Sequence, residues 1–116
     1  MKLYRWDAIP LEQVNDTLSR RLITGDRTMV AQLLIKKGGV VPLHHHENEQ
    51  ISMCFSGELE FELEGQKVLL KAGEVLHIPS NVPHKAVALT DFEGIDIFTP
   101  PRQDWLTGQD FYLRQK

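Results

Sequence analysis

The chain has 116 residues, 41% of them hydrophobic and 25% charged, with a formal net charge of -3. That bounds it at one domain, large enough to fold without a disulfide or a structural metal. The slight acidity argues against a nucleic-acid partner, which asks for a basic excess. Cys54 is the single cysteine, so a reducing compartment is the easier expectation. The N-terminal stretch has no apolar core of the signal-peptide kind, and no run is long enough to span a bilayer. A cytoplasmic chain with no membrane partner is expected.

Residues 1–27 read as an N-terminal arm or edge segment; Leu11 to Leu22 has some helical spacing and fits an extended arm equally well. From Thr28 onward the pattern is short strands separated by turn residues. The first predicted strand is Met29 to Ile35, and another is Ile51 to Phe55. Glu58 to Glu64 alternates strictly between polar and apolar, the mark of a strand with one wet face. Gly65-Gln66 then turns the chain into Lys67 to Leu70, which completes a hairpin. Ala72-Gly73 precedes Val75 to Ile78, and a loop rich in turn formers, Pro79 to Pro83, follows it. Lys85 to Leu89 and Gly94 to Thr99 complete the set. Many short strands at this spacing predict an all-β sandwich or closed barrel.

His44, His45 and His46 form an internal triplet. If they lie on a strand, His44 and His46 share a face and His45 points away. Two imidazoles on one face suit a transition metal, while a solvated histidine-rich loop is an equal alternative on the triplet alone. The wider spacing decides between them. Five residues separate Gly38 from His44, one separates His44 from His46, three separate His46 from Gln50 and six separate Gln50 from Gly57. Later, five residues separate Gly73 from Pro79, with Asn81 and then His84 beyond it. These spacings resemble the paired motifs of the cupins, and the fifteen residues between Gly57 and Gly73 match the short spacer of small microbial members. The resemblance runs from about Val30 to Thr99. It implies a double-stranded β-helix, a jelly-roll barrel, over residues 28–116 with a C-terminal tail. It also implies that His44, His46, Gln50 and His84 converge on one divalent transition metal, with nickel, zinc, iron and manganese as candidates.

Three positions depart from the family pattern. Gln50 stands where most members have Glu, Asn81 where Gly is usual, and Ala88 where Asn is usual. Asn81 is tolerable because Asn enters left-handed backbone regions more readily than other residues with side chains. Gln50 matters chemically: three imidazoles and an amide leave the ion's double charge uncompensated, which favours polarising a bound oxygen over oxygenase chemistry. Glu49 is the alternative ligand if the turn before it is irregular.

Asp96 and Phe98 share one face of a later strand, and Arg102 follows just beyond Pro100-Pro101. The stretch from Asp96 to Arg102 resembles the end of small cupins of the pectin-degradation KdgF type, which convert 4,5-unsaturated uronates to linear keto forms. That resemblance implies Asp96, Phe98 and Arg102 as active-site residues. Arg102 suits bidentate binding of a uronate carboxylate and Asp96 suits proton transfer. The bland alternative is an Asp96–Arg102 ion pair at the barrel rim. Ser52 and Cys54 are expected to line the pocket, and His77 to be a packed or hydrogen-bonded histidine in a buried strand. Trp6 and Trp105 read as edge or interface packing, and the glutamates from 58 to 64 as a solvated face.

The expected activity is metal-assisted ketonisation of an unsaturated uronate or a similar small carboxylated compound. A cupin dioxygenase or other lyase is one alternative, and a non-catalytic sugar- or ligand-binding module another. By resemblance, a homodimer is expected.

Overall fold

Alternating apolar and polar residues fold the chain into two antiparallel sheets in the computed structural model, which describes residues 1–114. Gln115 and Lys116, the end of the expected tail, lie outside the described residues. After a 3-10 turn at Trp6–Ala8 come β1 (Glu12–Gln13), β2 (Leu18–Thr24), β3 (Met29–Ile35) and β4 (Val40–His44). Next are β5 (Glu49–Ser56), β6 (Glu58–Leu63), β7 (Gln66–Lys71), β8 (Val75–Ile78), β9 (His84–Ala88) and β10 (Phe92–Thr99). Two short helices close the described chain, α1 (Gln103–Thr107) and α2 (Phe111–Arg114).

The larger sheet runs β1-β2-β3-β10-β5-β8 and the smaller β4-β9-β6-β7. The segment around Leu11 to Leu22, for which helix and extended arm were both open, is extended. It supplies β1 and β2, and β2 pairs with β3 over its whole length. Strand β3 shows the period of two most plainly: Met29, Ala31, Leu33 and Ile35 are buried and the residues between them are not. Each large apolar side chain buried this way contributes roughly 1.5–3 kcal/mol.

Turn chemistry fixes the corners. Gly57 has φ 84°, and a Cβ there would strike the Asp91 carbonyl, so no other residue fits without a shift of backbone. Asn81 adopts φ 65°, the left-handed backbone expected of it. The glutamate-bearing strand β6 turns Leu59 and Phe61 inward and leaves Glu58, Glu60 and Glu62 partly or fully exposed.

The inner face of the larger sheet is not wholly apolar. Asp96 on β10 pairs across with Ser52 on β5 and with Ala31 on β3, and Phe98 pairs with Gln50. Small residues on both sides of Asp96 leave room for a polar pocket inside the barrel.

Candidate metal centre and active-site pocket

His44 closes β4, whereas His45 and His46 lie past its end. His46 therefore reaches the barrel interior from the following turn and not by alternation along a strand. A hydrogen bond from its Nδ1 to the Asn48 carbonyl, 2.9 Å, fixes that approach. His44 Nδ1 donates likewise to Pro42 at 2.8 Å, and His84 Nδ1 to Val82 at 2.8 Å. A carbonyl can only accept, so each Nδ1 carries the proton and each Nε2 keeps its lone pair.

The three imidazoles converge. One ligand nitrogen from each of His44, His46 and His84 lies within 4.8 Å of the others. Gln50, the first inward residue of β5, places Oε1 3.1 Å from His46 Nε2. Both atoms are acceptors, an arrangement that asks for a cation between them. His84 Nε2 is buried with no hydrogen-bond partner among the described residues, an orphaned lone pair of the kind proteins avoid. The donor set therefore fits a divalent transition metal. Glu49 faces the other way and pairs with His77 at 2.6 Å on the exposed outer surface. His77, expected to be packed or hydrogen-bonded in a buried strand, lies on the outward, exposed face of β8 while its neighbour Ile78 points inward, and its hydrogen bond is this one to Glu49.

Electrostatics keep the imidazoles neutral. Burial pushes His44 down to about 3, helped by the neighbouring His84. Burial and then the Arg102 charge take His46 to about 4. His84 is lowered too, chiefly by burial. Neutral imidazole is the form that binds a metal.

Asp96 adjoins this group. Gln50 Nε2 donates to Ser52 Oγ at 2.9 Å and to Asp96 Oδ2 at 3.3 Å. Burial lifts Asp96 to about 6, against the opposing effects of a Ser52 hydrogen bond and the Arg102 charge. Ser52, fully buried, thus supports Gln50 from behind, and neither it nor Cys54 lines the cavity as expected; the Cys54 thiol is given to the carbonyls of Ser56 and Gly57.

Phe98 is buried edge-on between His46, with centroids 5.7 Å apart, and Trp105 at 5.0 Å. Arg102 lines the same cavity as His44, His84, Gln50 and Asp96. Its ion pair is not with Asp96. Arg102 Nε and Nη2 reach the two oxygens of Asp104 at 3.0 and 2.9 Å, and Nη2 also donates to Tyr112 at 2.8 Å. The fork expected to grip a substrate carboxylate is already engaged by the chain itself.

Several contributors escaped the sequence reading. Asn48 donates to the carbonyls of Pro100 and Pro101, at 2.6 and 3.2 Å, and so holds the turn that delivers Arg102. Tyr112 stacks on His44 at 4.4 Å. Trp105, expected at an edge, instead walls the cavity between Phe98 and Arg102. The wall is anchored by a buried ion pair, Arg20 Nη1 to Asp110 Oδ2 at 2.7 Å, with Glu12 and Arg114 around it. Polar residues beside a proline turn are an available signal for Asn48; none marks Tyr112.

The cupin domain family matches residues 32–98. Over 103 residues the chain is 33% identical to pectin degradation protein KdgF of Dickeya dadantii (strain 3937), covering 86% of this chain and 94% of that protein. The structure of KdgF from Halomonas sp. matches with a TM-score of 0.85 at 30% identity, over 90% of this chain and 98% of that one. An RmlC-like cupin from Shewanella frigidimarina NCIMB 400 matches with a TM-score of 0.85 at 26% identity, over 90% and 96%. The two sheets are the walls of a jelly-roll barrel, and the chain belongs to the cupin family, with KdgF among its relatives.

Proposed function

We propose that this cupin is a metal-dependent enzyme that ketonises 4,5-unsaturated uronates, opening the sugar ring and tautomerising the resulting enol. One observation carries the reading: a buried carboxylate, Asp96, is tied through Gln50 to a three-histidine group in the cavity that Arg102 lines. The kinship with a pectin degradation protein supports a uronate, since pectin is built from uronates.

His44, His46, His84 and the Gln50 carbonyl oxygen would hold one divalent transition metal. When bound, an ion in this uncharged donor set polarises a substrate oxygen.

The reaction moves one proton. The anomeric hydroxyl loses its proton as the bond from C1 to the ring oxygen breaks, leaving an aldehyde and an enolate. C4 of the enolate then takes a proton, and the former ring oxygen becomes a ketone. Asp96 suits both transfers, because a carboxyl lifted to about 6 can accept and return a proton near neutrality. Arg102 binds the uronate carboxylate by a charge-assisted hydrogen bond. Phe98 and Trp105 form the apolar wall that keeps water from the enolate.

The test incubates metal-loaded protein with 4,5-unsaturated galacturonate in D2O and follows the sugar by NMR. The expected result is accelerated loss of the vinyl signal with deuterium entering at C4. Binding without turnover would support the ligand-binding alternative instead, and neither binding nor turnover would reject the uronate.

A further inference from the structure

Arg102 carries its charge in a nearly closed box: the side chain is 3% exposed. Its guanidinium carbon lies 5.1 Å from the Phe98 ring centre, 4.9 Å from Trp105 and 6.0 Å from Tyr112. A charge this dry must be paired, since an unpartnered buried ion costs several kcal/mol. Asp96, buried in the same cavity, is the partner that sequence order suggested. The structure gives the pair to Asp104 instead, two residues along at the start of α1.

The division of the guanidinium's hydrogens is informative. Nε has one hydrogen, and Asp104 Oδ1 takes it; Nη2 has two, and Asp104 Oδ2 and the Tyr112 hydroxyl accept from it. Tyr112 is fixed in turn by a 3.2 Å hydrogen bond from Trp105 Nε1. Nη1, with two hydrogens, has no hydrogen-bond partner among the described residues.

We propose that Asp104 is a positioning residue: it clamps the Nε/Nη2 edge of Arg102 and leaves Nη1 as the donor for the substrate's carboxylate. This rests on the uronate reading above and refines it, because the carboxylate then meets one nitrogen of a pre-aimed guanidinium, not an open fork. Holding the guanidinium in place beforehand removes an ordering cost from binding. Asp104 also keeps Arg102 from closing on Asp96, so the arginine and the proton carrier stay separate.

The experiment compares Asp104→Asn and Asp104→Glu with wild type, all metal-loaded, against 4,5-unsaturated galacturonate. The expected result for Asp104→Asn is a KM raised about tenfold or more, the scale of one charge-assisted hydrogen bond, with kcat changed much less. Asp104→Glu, which keeps the carboxylate, is expected to recover part of the loss. An unchanged KM overturns the proposal. So does a lowered KM, which would make Asp104 a competitor for the guanidinium. A second readout is independent of the substrate: hydrogen exchange of the Arg102 Nε–H, followed by 1H–15N NMR. Slow exchange in wild type and fast exchange in Asp104→Asn is expected, and equal exchange in the two overturns the clamp. If wild type fails to turn over the uronate, the uronate reading falls while this exchange measurement still decides the role of Asp104.

Discussion

Gln50 and Asp96 meet across β5 and β10, the amide nitrogen 3.3 Å from the carboxylate oxygen Oδ2. Because the amide's other end faces His46 at 3.1 Å, one side chain joins the proposed proton carrier to the three-histidine group. An amide can do this and a carboxylate cannot, since the amide offers an acceptor to the ion and a donor to Asp96. Gln50→Glu is therefore expected to keep its metal and to lower kcat by about tenfold or more, because paired carboxylates drive one pKa upward by a unit or more. Metal content and kcat measured together check this. An unchanged kcat would show that the donor to Asp96 is dispensable.

Replacing His44 and His84 together by Ala is expected to abolish stoichiometric metal, measured by elemental analysis after dialysis against a divalent transition metal. Undiminished metal would mean that other residues form the ligand set. Loss of these rings opens the cavity wall, so a thermal melt should accompany the measurement.

Metal-free protein is expected to lose stability on the acid side, beginning near the ordinary histidine range of about 6.5. The sign follows from the three histidines, whose folded pKa values are lowered, to about 3 for His44 and about 4 for His46. Below the unfolded pKa the unfolded chain binds more protons than the folded one, so stability falls as pH falls. Asp96 opposes this between its raised value of about 6 and the ordinary Asp value, because the folded state takes up that proton first. Urea midpoints at pH 8, 6.5 and 5 should fall in that order, with saturating metal steepening the fall by adding stability mainly at the higher pH. A flat profile in the metal-free protein would show that the imidazoles are not held neutral by the fold.

Arg20 and Asp110 are both fully buried at 2.7 Å, and they tie the C-terminal wall of the cavity to β2. Asp110→Ala strands the Arg20 charge and is expected to cost about 3–5 kcal/mol in urea unfolding. Making the second change, Arg20→Met, in that background should recover much of the loss. A cost near that of a surface pair would mean that Glu12 alone satisfies Arg20.

Much of the barrel was legible because its strands obey a period of two. Met29 to Ile35 and Val75 to Ile78 are predicted and observed with the same limits. Local pattern carries less about what approaches from far along the chain. Arg20 shares the inward face of β2 with Leu18, but nothing in the local pattern pairs it with Asp110, ninety residues later. Trp105, Tyr112 and Asp104 lie in a tail with no periodicity, and their roles arise only when α1 and α2 fold back across the cavity. His46 is a different case. The motif spacing marked it as a ligand candidate, yet the alternation invoked to place it beside His44 does not apply, because β4 ends first. Gln50 and Asp96 could each be named from sequence, but their contact depends on the pairing of β5 with β10.

In the proposed mechanism Asp96 carries the proton of a metal-dependent uronate ketonisation. The most direct test is the rate of wild type against Asp96→Asn, both metal-loaded, on 4,5-unsaturated galacturonate across pH. A loss of roughly 10²–10⁴-fold in kcat is expected for the variant. An acid limb is also expected in wild type, activity falling as pH drops below the Asp96 pKa, that is absent from the variant. Equal rates with the same pH profile would contradict this role for Asp96.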